Sequence, residues 1–173
     1  MGTSKSGRYL NTKGSGRSVS DYSLFHSDEG TFRWEDGHKN GMPIKIIRLD
    51  GGGHGQNGMN LLKKYHLAYK VVKTWPNGVR VGNVLTHKDR SKRILNGQTW
   101  FPANWTSKDI KHAGEYVASL KRNRNTPNGK ILFGNWKGVR VGVIKTNGKI
   151  ATIFPDKNQI SVLKKGRKKK WAR

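Results

Sequence analysis

Residues 50–58 read Asp-Gly-Gly-Gly-His-Gly-Gln-Asn-Gly, five glycines around His54. Glycine frees φ and removes the Cβ, so a phosphate or ribose can approach such a backbone closely, and the histidine projects from a loop rather than from a core face. Taken alone, the run is also what a glycine-rich surface turn looks like. It is not a phosphate-binding P-loop, because no Gly-Lys-Ser/Thr follows at the required spacing. What an exposed imidazole offers is proton transfer near neutrality, since its ordinary pKa of ~6.5 lets both protonation states exist. Two imidazoles suffice to break RNA without a metal. One removes the 2′-OH proton, the other protonates the leaving 5′-oxygen, and a lysine or a hydrogen-bond donor steadies the charge developing on phosphorus.

The chain offers six histidines: His26, His38, His54, His66, His87 and His112. His66 and His112 fall on expected helices and read as surface residues. His26, in Phe25-His26-Ser27, has no assigned place. His38, within Asp36-Gly37-His38-Lys39-Asn40-Gly41, and His87, within Thr86-His87-Lys88-Asp89, both lie in polar loops, and either can be the second catalytic group. A metal site is a poorer reading: no His-x-x-x-His occurs on a helix, and 10 acidic residues give no carboxylate cluster. No metal or other cofactor is expected. Gly-x-Ser-x-Gly is absent, and the lack of cysteine excludes disulfides, thiolate ligands and a cysteine nucleophile.

Charge points to the substrate. Against 35 Lys and Arg stand 10 Asp and Glu, a formal net charge of +25 in 173 residues. Such a field attracts polyanions and speeds association with them, so nucleic acid is the leading partner. The terminal basic runs account for part of the total only, because Lys and Arg continue through residues 63–145. An anionic membrane surface is the alternative, but no basic amphipathic helix with a suitable apolar face is evident. No stretch approaches the ~18 apolar residues that span a bilayer, and no apolar signal peptide opens the chain. Membrane insertion is not expected, and a monomer is.

Positioning these residues requires a modest core, since only 33% of the chain is hydrophobic. The Gly/Ser/Lys composition of residues 1–20 reads as a flexible leader. Residues 21–163 read as one folded domain, and residues 164–173 as a self-repelling basic tail. Met59, Leu61, Leu62 and Tyr65 have the spacing of a short amphipathic helix. Ala68 to Val72 and Val79 to Val84 read as strands turned by Pro76-Asn77-Gly78, followed by a polar loop through Gly97. Thr106 with Asp109 forms a capping box, after which Ile110, Ala113, Gly114, Val117 and Leu120 line one helix face. From Lys130 the period becomes two, giving strands near 131–133, 139–144 and 150–154, with Asn147-Gly148 as a hairpin turn. Gly-Val-Arg-Val-Gly recurs at 78–82 and 138–142, which reads as two similar strands rather than a repeat. The class is α+β, N-terminal helices packed on a C-terminal antiparallel sheet. Trp75, Trp100, Phe101, Trp105, Phe133, Trp136 and Phe154 lie amid basic residues and can stack on bases, although most will be core.

Several segments in order resemble the bacterial EndoU ribonucleases found as polymorphic and contact-dependent inhibition toxin domains. The similarity opens at Gly51-Gly52-Gly53-His54. It continues through Gln98-Thr99-Trp100-Phe101-Pro102-Ala103-Asn104-Trp105-Thr106 and the strand from Gly138 to Ile144, to Gly148-Lys149-Ile150-Ala151-Thr152-Ile153-Phe154-Pro155, covering roughly residues 36–156. The resemblance implies a fold related to barnase and colicin-type ribonucleases. It also implies a metal-independent endoribonuclease toxin that leaves a 2′,3′-cyclic phosphate and needs two histidines and a lysine. Carried over, His54 is one histidine, His38 lies a plausible distance upstream to be the other, with His87 its rival, and Thr152 contacts substrate. Gln98 stands where the family has lysine, so Lys92, Lys88 or Arg93 could supply the charge, or Gln98 a neutral hydrogen bond beside Thr99. Phe154 replaces a tyrosine. The resemblance further implies a cellular RNA substrate such as tRNA, an acidic immunity protein as partner, and action in a target-cell cytoplasm after delivery. A non-catalytic RNA- or DNA-binding protein with a degenerate nuclease fold is the competing reading.

Overall fold

The computed structural model describes residues 18–164; the expected basic leader through residue 17 and the tail from residue 165 lie outside the described residues. In chain order the named elements are α1 (Asp21–Asp28), β1 (Thr31–Lys39), β2 (Met42–Gly51), α2 (Gln56–Lys64), β3 (Tyr69–Thr74), β4 (Arg80–Val84), α3 (Arg90–Ile94), β5 (Gln98–Trp100), α4 (Ser107–Ser119), a 3-10 turn (Lys121–Asn123), β6 (Ile131–Trp136), β7 (Val139–Thr146) and β8 (Lys149–Pro155). The strands form three small antiparallel sheets, β1-β2, β3-β4-β5 and β6-β7-β8. The class is α+β, as the sequence predicts, with strands also interleaved ahead of α4.

The helix α4 begins where its cap dictates. Thr106 Oγ1 accepts from Asp109 N at 3.2 Å and Asp109 Oδ2 accepts from Thr106 N at 2.9 Å, closing both halves of the box. Its buried face, Ile110, Ala113, Gly114, Val117 and Ala118, packs on β6–β8 with Leu132, Val141, Val143, Ile150 and Ile153 to make the main core. Helix and sheet meet closely at Gly114, where an added Cβ would lie 2.2 Å from Ile153 Cδ1. A second cluster of Leu49, Met59, Leu62, Val84 and Trp100 lies beneath α2 and β3–β5.

The two similar Gly-Val-Arg-Val-Gly segments lead into β4 and β7, and Asn77 Nδ2 joins their approaches by donating to Gly138 O at 3.0 Å. Two expectations change. The polar loop preceding Gly97 contains α3. The loop expected around Asp36–Gly41 is instead the far end of the β1–β2 hairpin, turned at Asn40 (φ 53) and Gly41 (φ 77). Both turn residues sit in the left-handed region that such two-residue hairpin turns require.

Candidate active site

The glycine loop is stitched to the end of α1 by backbone hydrogen bonds. Gly53 N donates to His26 O at 2.9 Å, His54 N to Ser27 O at 2.6 Å and Gly55 N to Asp28 O at 3.0 Å. This approach explains the glycines: Gly52 has φ +67, and an added Cβ there would lie 1.9 Å from His26 O. Ser27 also anchors α1 to the sheet, its Oγ accepting from Ile153 N at 2.9 Å. Residues 26 and 54, far apart in sequence, are thereby locked side by side.

The imidazole of His54 is buried, 3% exposed. Its Nδ1 lies 2.7 Å from Thr99 O. A carbonyl only accepts, so Nδ1 carries the proton and Nε2 keeps its lone pair. Burial pushes this imidazole well below the ordinary histidine value. The Lys92 charge adds to that, and the Thr99 hydrogen bond opposes it. His26, at the last turn of α1, places Nδ1 2.6 Å from Thr31 Oγ1. Its pKa is also lowered, by burial first and then by Lys92. Lys92, half-buried on α3, is itself lowered by burial, with Asp89 opposing.

His26, His54, Lys92, Thr99, Thr152 and Phe154 line one open cavity of about 460 Å³. Phe154 rests over Gly142, where a Cβ would sit 2.6 Å from its Cζ, and its ring centroid lies 5.8 Å from that of His54. Two imidazoles, an ammonium group and an aromatic wall thus face a space able to hold a nucleotide. Among the described residues no three His, Cys, Asp or Glu side chains come together in a way that could hold a metal ion.

The other expected site residues lie elsewhere. His38 sits opposite Pro43 near the hairpin turn and is exposed. From Thr31 to His38 the strand runs roughly 20 Å, which carries His38 away from His54. His87 is fully buried and does not line the cavity. Its Nδ1 accepts from Asp89 N at 2.8 Å, and burial with the nearby Lys92 lowers its pKa to about 4. It shapes the turn into α3, which Arg93 Nη1 also secures by donating to His87 O and Lys88 O. Neither Arg93 nor Lys88 lines the cavity, whereas Lys92 does, with Lys157 at its rim. Gln98 is fully buried, with Nε2 donating to Gly52 O at 3.2 Å, so it braces the glycine loop from beneath rather than meeting a ligand.

The histidine that sequence reasoning left unassigned is His26. Its helix buries only Ser27 and Asp28, so it shows no apolar stripe to reveal it. The available signal was its N-cap, Ser20 Oγ accepting from Ser23 N at 3.1 Å.

Comparison with known proteins gives the family of the chain. Residues 27–157 match the family of the bacterial EndoU nuclease, a span that opens one residue after His26 and takes in His54, Lys92, Thr99, Thr152 and Phe154. No curated protein and no solved structure matches the chain. A family match over most of the sequence, on a chain whose glycine-histidine loop walls a histidine-lined cavity, decides the matter: this protein belongs to the bacterial EndoU nuclease family.

Proposed function

We propose that the chain is a metal-independent endoribonuclease in which His54 and His26 are the acid–base pair. The observation that carries this reading is the meeting of His26, His54 and Lys92 in one cavity. His54 is suited to be the base: burial keeps it neutral, and Thr99 O fixes the tautomer that leaves Nε2 free. Nε2 takes the 2′-OH proton as the 2′-oxygen attacks phosphorus. His26 gives a proton to the departing 5′-oxygen, and its Nδ1–H remains held by Thr31 Oγ1. The P–O5′ bond breaks as the P–O2′ bond forms, leaving a 2′,3′-cyclic phosphate and a 5′-hydroxyl. Lys92 stabilises the charge that builds on the non-bridging oxygens, and Thr152 with Phe154 contacts the ribose or base.

The same reading makes the chain a toxin acting on cellular RNA such as tRNA, neutralised by an acidic immunity protein that occupies the basic site. Incubation of total RNA with EDTA present tests the chemistry. Wild type is expected to cut and leave cyclic phosphate ends, and His54→Ala to lose at least about a hundredfold in rate. Equal cleavage by both proteins, or loss of cleavage with EDTA, would sink the mechanism. Tight RNA binding with no cleavage under any condition would favour a degenerate, non-catalytic binding protein instead.

A further inference from the structure

The cavity around His54 continues beyond the reacting groups. Its rim at Asp156 and Lys157 is shared with a second groove, lined also by Lys73, Trp75, Asn96 and Asn158. That groove is held in shape by contacts between distant segments. Trp75 Nε1 donates to Lys157 O at 3.0 Å, clamping the end of β3 to the chain leaving β8. Lys157 Nζ reaches back to Leu95 O at 3.2 Å. Lys73 Nζ lies 3.6 Å from the centroid of the Trp75 ring. Asp156, the one acid in the lining, is engaged by Arg140 Nε at 2.8 Å, so its charge is compensated.

Two ammonium groups, an indole and carboxamides, set beside the apolar side chains of Val72, Val81 and Ile160, suit single-stranded nucleic acid: cations meet phosphates, and rings and apolar groups meet bases. The groove's volume, about 590 Å³, lies within the roughly 300–1,000 Å³ of pockets that enclose small ligands. It is therefore sized for individual nucleotides rather than for a protein face. It shares Asp156 and Lys157 with the cavity, so a strand held across His54 can continue into it. We infer that this groove is a second nucleotide subsite, which holds the single-stranded RNA lying on one side of the cleaved bond. The inference rests on the endoribonuclease reading for the identity of its ligand.

The test compares cleavage of a dinucleotide with cleavage of the same dinucleotide extended on the 5′ side or the 3′ side by about four nucleotides. Extension on one side is expected to raise kcat/KM about tenfold, mostly through KM, and extension on the other side to do little. In Lys73→Glu the gain disappears while dinucleotide cleavage stays within about twofold. Lys63→Glu, the same charge change at an exposed position of α2, should keep the gain. A gain that survives the groove variant, or no gain on either side, overturns the subsite. If wild type cleaves no RNA, the endoribonuclease reading fails and binding still decides the groove. Fluorescence anisotropy with a labelled 2′-O-methyl oligoribonucleotide of roughly a dozen residues should then show about tenfold greater loss in the groove variant than in the α2 variant. Equal losses would overturn it.

Discussion

At His54 two effects oppose each other: burial disfavours the imidazolium, and the Thr99 carbonyl favours it, with burial the larger. The pH dependence follows with a definite sign. The base must be neutral, so activity fails on the acid side only below the lowered His54 value. The acid must be protonated, so activity falls as pH rises through the His26 value, which lies below 6.5. The free-enzyme optimum, read from kcat/KM against pH, is therefore expected on the acid side of 6.5. Because Lys92 lowers both imidazoles, Lys92→Gln should move both limbs to higher pH as well as slow the reaction; limbs that stay put would separate Lys92 from the pair. Gln98 supplies a different residue-scale expectation. Gln98→Lys places at a fully buried position the lysine that the sequence resemblance implies there. An ammonium group there would face the backbone carbonyls of Gly52 and Gly53 and is costly to desolvate. The variant should melt at a lower temperature than wild type and gain no activity; an active, equally stable Gln98→Lys would show that the pocket was built for lysine.

At the scale of elements, the capping box of α4 is the most local test. Thr106→Ala removes one reciprocal bond and should cost about 1 kcal/mol in denaturant unfolding with the cavity chemistry unchanged. Much of this level was legible in the sequence. The box at Thr106 and Asp109, the Pro76-Asn77-Gly78 turn and Asn147-Gly148 each carry a local chemical signal, and α4 and the β3–β4 and β7–β8 hairpins form where those signals stand. Asn40-Gly41 carried the same turn signal, but of its flanking strands only Leu49 is buried, so no buried alternation marked them. The candidate site was legible only in part for the same kind of reason. His54, Lys92, Thr99, Thr152 and Phe154 sit on segments with recognisable patterns. His26 is brought to them by backbone bonds from Gly53, His54 and Gly55 to the end of α1, a long-range contact that no local spacing encodes. Gly52 is its hidden counterpart: Gly52→Ala would force a Cβ into His26 O and should part the two histidines.

For the whole molecule, the net charge of +25 is what 35 basic residues leave over 10 acids, several of which are committed locally, as Asp109 is to Lys137 and Asp156 to Arg140. Self-repulsion then opposes compactness, and attraction to RNA dominates association. Raising salt from about 50 to 200 mM should slow cleavage of long RNA steeply while changing dinucleotide cleavage far less, because fewer phosphate contacts release counterions. Equal salt dependence for both substrates would mean that the basic surface beyond the cavity takes no part in binding.

The central claim is that His26, and not His38, completes the site with His54. It is tested most directly by cleavage of one defined oligoribonucleotide in EDTA by wild type, His26→Ala, His38→Ala and His54→Ala. His26→Ala and His54→Ala should each lose at least about a hundredfold in rate. His38→Ala, altered on an exposed hairpin end, should stay within about twofold of wild type. A His26→Ala protein that still cuts, beside a His38→Ala protein that does not, would contradict the account.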